Sequence, residues 1–186
     1  MVELNIYTPL TSQKVKGLTA GDKINLTGTI YTARDAAHER LINDIKKGNN
    51  PPFNLQNSIV YYVGPCPAKP GYVIGSSGPT TSYRMDKYTP FLLEKGIKGM
   101  IGKGVRSNEV ISSMKKNYAV YFGAIGGAGA LISSCIKKSK IIAYEDLGTE
   151  AVRELYVEDF PLIVVIDCNG NNLYNKQDRL RLSIGG

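Results

Sequence analysis

The stretch GMIGKGVRSNEVISSMKKNYAVYF, residues 99–122, decides how the chain folds. Gly99 to Ile101 reads as a short strand that runs out at Lys103, between two glycines. Ser107 then stands where a helix cap belongs, because its hydroxyl accepts from the free N–H groups of the first turn. The helix it opens is expected to reach about Lys116, and Ala119 to Phe122 is a second strand. A strand, a capped helix and a second strand in this order imply parallel strands joined by a helical crossover.

The alternation continues outward on both sides. Upstream, Ser58–Val63 and Tyr72–Ile74 read as strands, Tyr83–Tyr88 as helical, and Phe91–Lys95 as a short helix opened by Pro90. Downstream, GAIGGAGALISSCIKKS is a glycine-rich turn entering a helix, Lys140–Tyr144 a strand, Glu150–Leu155 a helix and Leu162–Asp167 an apolar strand. Asn169–Asn172 turns towards Leu173 and Tyr174. The first sixty residues are richer in strand: Val2–Tyr7, then KINLTGTIY (Lys23–Tyr31), where apolar and polar residues alternate. TARDAAHERLINDIKKG follows as a helix capped by Thr32 and ended by Gly48. The predicted architecture is α/β, a three-layer domain with a largely parallel central sheet. Residues 1–186 form one domain, with a polar tail after about 175 that is expected to fray.

Composition narrows the function classes. At 42% hydrophobic and 21% charged, the chain has the apolar content of a folded globular protein. The net charge is +7, but lysine and arginine are scattered, with pairs as the longest runs, so no basic stripe for nucleic acid can be read. The excess suits an anionic substrate or an acidic partner chain. The three cysteines, at 66, 135 and 168, are odd in number and widely spaced, which argues against a disulfide framework and for a reducing compartment. MVELNIYTPL has neither a basic start nor a long apolar core, so no signal peptide is expected, and a cytoplasmic location follows.

Candidate chemistry gathers in a second stretch, GPCPAKPGYVIGSSGPTTSYRMD, residues 64–86. Gly75, Gly78 and Pro79 let the backbone pass close to a ligand, Thr80 offers a helix cap, and Arg84 would sit near the first turn that follows. Arg34 stands similarly after Tyr31. A cation at a helix start opposes the helix dipole, and such broken local rules gather at functional sites. Each guanidinium can hold a carboxylate by two bonds. The plain alternative is surface pairing with Asp35 and Asp86. Lys103, between Gly102 and Gly104, is an exposed ammonium after a strand, and IGKG lacks the spacing of a phosphate-binding P-loop. The turn Gly123–Gly129, with Glu145 beyond it, is the rival reading, a nucleotide-binding module, although the third glycine of that fingerprint is missing. No CxxC is present, so a cluster on Cys66, Cys135 and Cys168 is not expected. His38 is the only histidine and reads as a surface or packed helix residue rather than a base.

In order along the chain, GTIYTARDAAHERL, YYVGPCPAKPG, GSSGPTTSYRMDKYTP, MIGKG, AVYFGAIGGAGAL, YEDLGTEAVREL and PLIVVIDCNGNNLY resemble the β subunit of iron–sulphur-dependent class I fumarate hydratases. That unit is equivalent to the C-terminal domain of the single-chain forms, and L-tartrate dehydratase β subunits are close relatives. The resemblance implies a swivelling β/β/α domain and the hydration of fumarate to L-malate. It implies that a [4Fe-4S] cluster is carried by a separate α subunit, none being bound by this chain, in a heterodimer that pairs to a heterotetramer. It also implies that Arg34, Arg84 and Lys103 bind substrate and that Thr80 serves the proton-transfer step. The chain lacks the cluster-binding half, so alone it is expected to be incomplete.

Overall fold

The computed structural model describes residues 3–124 and 129–175. The elements in order are β1 (Glu3–Tyr7), α1 (Ser12–Lys16), β2 (Lys23–Thr32), α2 (Asp35–Lys46), β3 (Ile59–Tyr61), α3 (Thr89–Glu94), β4 (Gly99–Gly102), α4 (Asn108–Asn117), β5 (Val120–Ala124), α5 (Gly129–Cys135), β6 (Ile136–Ala143) and β7 (Val152–Ile166). A single 3-10 turn lies at Ser82–Met85, and two 3-10 turns meet across a kink at Gly148 within Glu145–Glu150. The crossover expected between Gly99 and Phe122 is present: β4 pairs with β5 in parallel, and Ser107 Oγ accepts from Val110 N–H at 3.3 Å to open α4.

The sheet has seven strands in the order β1-β2-β3-β4-β5-β7-β6. Strands β1 to β5 run parallel. β7 runs antiparallel to β5, β6 and β2, so the sheet is mixed rather than largely parallel. Its pairing with β2 returns the ladder to its start, and β2, β3, β4, β5 and β7 form a closed ring of hydrogen-bonded strands. Closure needs a bend in β2, which comes at Gly28. The register shifts there, φ is +127°, and a Cβ would collide with Thr8 Oγ1.

Strand alternation sends side chains to two cores. Ile59, Tyr61, Ile101, Val120 and Phe122 point to one core with Leu26, Ile30, Leu155, Val157 and Phe160. Val60, Tyr62, Met100 and Tyr121 point to the other, against Ala37 and Leu41 of α2, Leu92 and Leu93 of α3, and Val110 and Met114 of α4. With both faces of β3, β4 and β5 covered, their residues are apolar without alternation, as buried parallel strands require.

Four expectations are corrected. Glu150–Leu155 is not a helix: Val152 begins a fifteen-residue strand, because Leu155 and Val157 fill the first core and pair with β2 and β6. Tyr72–Ile74 is not a strand, since β3 already has β2 and β4 on its two edges and Tyr72 and Val73 face solvent. Thr32 caps no helix. It ends β2, and its hydroxyl accepts from Arg153 N–H at 3.0 Å, tying β2 to β7. The segment after Cys135 leaves the helix at once, and Ile136 opens β6. Gly126 and Gly127 of the glycine-rich turn, and the tail after 175, lie outside the described residues.

His38 is buried, with its ring against Tyr62 and Tyr88 at 5.4 and 5.7 Å. Burial pushes it down to about 4, from an ordinary 6.5. Below pH 6.5 the unfolded chain therefore binds a proton that the folded one refuses, and stability falls as pH drops. Between pH 6.5 and 5 the loss is about 2 kcal/mol, or about 4–8 °C in melting temperature. His38→Gln should remove that part of the pH dependence in thermal melts. Equal slopes for parent and variant would show that His38 is not held neutral.

Candidate functional site

The parallel strands β2, β3 and β4 end side by side, and their backbones stay paired beyond the last strand residue. Ala33 N–H donates to Tyr61 O at 3.2 Å, and Tyr62 N–H to Ile101 O at 2.9 Å. The chain then returns from its long loop. Thr80 N–H donates to Tyr62 O at 2.7 Å, Lys103 N–H to Thr80 O at 3.3 Å, and Ser82 N–H to Lys103 O at 2.9 Å. Thr80 and Lys103 are thus neighbours by backbone pairing, and Thr81 forms a parallel bridge with Lys103. Ligands of α/β sheets bind in this position, outside the carboxyl ends of the strands.

Arg34 occupies the cap position of α2 and offers no side-chain cap. Glu150 takes that role from across the sheet: its Oε2 accepts from Ala36 N–H at 2.9 Å, and its Oε1 lies 3.5 Å from Arg34 Nη2. A carboxylate at the helix start offsets the misplaced cation. The Arg34 side chain lies flat on Gly64, where a Cβ would stand 2.7 Å from Nη1 and 3.0 Å from Cδ. His38 Nδ1 lies 2.8 Å from Arg34 O, so the neutral imidazole donates there and holds the same turn.

Arg84 joins the group through Asp35, whose Oδ1 accepts from Arg84 Nε at 3.1 Å. The alternative pairing with Asp86 does not form, and, against the expectation of a cation at a helix start, Arg84 stands in the last turn of the 3-10 segment. Thr80 is not the cap; Thr81 precedes that turn and its side chain makes no cap hydrogen bond. Thr80 is half-buried, and Lys103 is exposed and makes no ion pair among the described residues. Arg34, Thr80, Arg84 and Lys103 therefore surround one end of the sheet. Buried Arg34 Nε and Asp35 Oδ2 have no partner among the described residues. Such exceptions cost free energy and call for an explanation. Three cations against Asp35 and Glu150 leave the cluster basic, and its donors can hold carboxylate oxygens.

Arg106 escaped the sequence reading. It is buried, its Nε donates to Asp86 Oδ1 at 2.7 Å, and Asp86 Oδ2 accepts from Ser107 N–H at 2.6 Å. No local pattern marks it: Glu109 lies nearer in sequence, yet the partner is Asp86, twenty residues away. The cysteines are free and differently placed: Cys66 exposed, Cys135 half-buried, Cys168 buried. A groove of about 760 Å³ between residues 66–76 and α5 has a mostly apolar lining, and none of the four candidate residues borders it. The cationic donors gather at the strand ends instead.

The family model described as Fumarase C-terminus matches residues 1–177. The chain is 38% identical over 179 residues to a protein of Methanocaldococcus jannaschii provisionally named L(+)-tartrate dehydratase subunit beta, covering 93% of this chain and 92% of that protein. It is 36% identical over 179 residues to fumarate hydratase 2 of Leishmania major, covering 94% of this chain and 32% of that protein. Against the aerobic class I fumarate hydratase of Salmonella typhimurium, identity is 34% over 179 residues, covering 94% and 31%. The chain thus spans about a third of the length of the two fumarate hydratases.

Two glycines separate support of the site from support of the fold. A Cβ at Gly102 would run into Ser82 Oγ and stand 3.0 Å from the Tyr62 ring, both buried. Gly102→Ala should cost about 1–3 kcal/mol in urea unfolding. A Cβ at Gly64 mainly displaces the long Arg34 side chain, so Gly64→Ala should cost less than about 1 kcal/mol. Equal losses for the two variants would show that Arg34 is fixed as rigidly as the core.

Proposed function

The chain belongs to the fumarase C-terminus family, and from that premise we propose that it is the β subunit of a two-subunit class I fumarate hydratase. The reaction adds water across the double bond of fumarate to give L-malate, and reverses. The observation that carries this reading is the cluster of Arg34, Arg84, Lys103 and Thr80 at the carboxyl ends of β2, β3 and β4. The whole chain is one swivelling domain with a helical layer, and it works in the cytoplasm, where free cysteines persist.

Iron–sulphur clusters need several thiolates in one place. Among the described residues, no group of three or more histidine, cysteine or acidic side chains could hold a metal ion. These residues do not fit a cluster, and no step of this chain's chemistry runs through one. We assign the [4Fe-4S] cluster to the partner α subunit, with which this chain forms a heterodimer that pairs into a heterotetramer. The fumarate hydratases that are about three times as long, and the subunit name of the archaeal relative, support the need for a partner.

Within this chain the roles follow from charge and geometry. Arg34 and Arg84 bind substrate carboxylates, and Lys103, beside Thr80, adds a point charge. In the dehydration direction a proton leaves C3 of malate, and charge grows on the adjacent carboxylate. Cations aimed at that carboxylate stabilise the transition state more than the ground state. Thr80 lies at the reacting carbon. Its N–H and C=O are both bonded, which holds its backbone in place, and its hydroxyl is assigned to proton relay or hydrogen bonding. A free threonine hydroxyl is a weak base, so activation must come from the assembled site.

A second reading is kept because the archaeal tartrate dehydratase relative matches this chain almost end to end. L-tartrate carries a second hydroxyl, and the same cations would bind its carboxylates. Assay of the assembled enzyme with both substrates decides between them: the proposal requires higher kcat/KM for fumarate or malate.

Lysine keeps the charge of Arg34 or Arg84 but loses the planar two-pronged geometry. A charge-assisted hydrogen bond is worth about 1.5–3 kcal/mol, so Arg34→Lys and Arg84→Lys should each lower kcat/KM by about ten- to a hundredfold. The variants must form the complex and keep its cluster content. Activity within about twofold in both would reduce the arginines to surface ion pairs. Anaerobic iron and sulphide treatment of the isolated chain should leave it colourless and inactive. Stoichiometric cluster uptake on this chain would overturn the division of labour.

A further inference from the structure

Arg106 sits outside the candidate group yet touches residues next to the Thr80, Arg84 and Lys103 segments. Its side chain is fully buried. Nε donates to Asp86 Oδ1 at 2.7 Å and Nη2 to Thr89 Oγ1 at 2.7 Å, while Nη1 reaches Tyr62 Oη at 3.4 Å and Met100 Sδ at 3.5 Å. The guanidinium lies 5.3 Å from the Tyr62 ring and 5.1 Å from the Tyr121 ring. This set of partners uses the planar fork of arginine and could not be met by lysine.

The partners lead to the site by short routes. Asp86 closes the 3-10 turn that carries Arg84, with its N–H on Tyr83 O at 3.1 Å. The other Asp86 oxygen holds Ser107 N–H at 2.6 Å, at the end of the turn that carries Lys103. Tyr62 supplies the carbonyl that fixes Thr80. Tyr121 Oη donates to Ser82 Oγ at 2.9 Å or to Gly104 O at 3.0 Å, one from each turn. Between them, these groups decide how the Thr80–Arg84 turn sits against the Lys103 turn.

We infer that Arg106, with Asp86 and Tyr121, is a positioning element that sets Arg84 and Thr80 in register with Lys103 on the dicarboxylate. The inference rests on the proposed hydratase reading. Arg106 does not touch the substrate; it acts through the two turns. A charge with no solvent exposure is costly to keep for stability alone, and hydrophobic replacements of such pairs are often neutral. Its worth here is geometric, since a displacement of about 1 Å in a substrate-holding group can cost about a hundredfold in rate.

A double-mutant cycle on the enzyme assembled with its iron–sulphur subunit tests the inference, with fumarate and L-tartrate as substrates. Arg106→Lys should lower kcat/KM by at least about tenfold in the otherwise unchanged enzyme. With Arg84 already changed to alanine it should cost at least about threefold less than in the parent, because the share that acts through Arg84 is gone and only the share through Thr80 remains. A merely structural role would multiply equally in both backgrounds, and that result overturns the inference. Should Arg106→Lys fail to assemble, Tyr121→Phe takes its place in the same cycle, removing only the hydroxyl shared by Ser82 and Gly104. It should give the same non-additivity at a smaller size, and additive losses again overturn the inference. An unchanged enzyme that acts on neither substrate removes the hydratase reading and this inference together. An active enzyme with additive losses removes this inference alone.

Discussion

Backbone pairing that runs on past the ends of three parallel strands is the constraint from which the rest follows. Strands β2, β3 and β4 stop at Thr32, Tyr61 and Gly102, yet the ladder continues through Ala33, Tyr62, Thr80, Lys103 and Ser82. Parallel strands put all their carboxyl ends on one side, so their loops meet. Residues separated by scores of positions are placed by main-chain bonds rather than by flexible side chains. Gly102 permits the closest approach, with Ser82 lying where a side chain would be. The closed ring of β2, β3, β4, β5 and β7 keeps that end of the sheet from splaying.

Electrostatics then divides the charges into two sets. Arg106 and Asp86 form a buried pair whose remaining donors and acceptors are met by Thr89, Tyr62 and Ser107. Removing one partner of such a pair costs about 3–5 kcal/mol, because it leaves a lone buried charge. Arg84 with Asp35 and Arg34 with Glu150 are looser, at 3.1 and 3.5 Å, and partly exposed. Pairs of that kind are worth about 0–1 kcal/mol and can be rearranged by a competing carboxylate. The buried pair therefore suits a fixed frame, and the looser pairs suit residues that exchange partners with a substrate.

How far the sequence could be read depended on the range of the interaction. The Ser107 cap and its helix are decided within four residues, and both are found as expected. The parallel crossover from Gly99 to Phe122 was legible for the same reason. Glu150–Leu155 was misread because Ala151 and Leu155 have helical spacing, while the strand there is imposed by β2 and β6. Turn chemistry singled out Arg34, Thr80, Arg84 and Lys103, but not their partners. Arg84 meets Asp35 from 49 positions away, and Ala36 meets Glu150 from 114. Arg106 was silent because its value comes from burial, which no local pattern reports.

The strand ends of this chain are proposed to form half of a dicarboxylate site that an iron–sulphur partner completes. A crystal structure of the assembled enzyme with succinate, an unreactive dicarboxylate, tests it most directly. Carboxylate oxygens should lie within about 3 Å of donors on Arg34, Arg84 and Lys103, with Thr80 beside the central carbons. Succinate bound away from the carboxyl ends of β2, β3 and β4, with those three side chains turned elsewhere, would contradict the account.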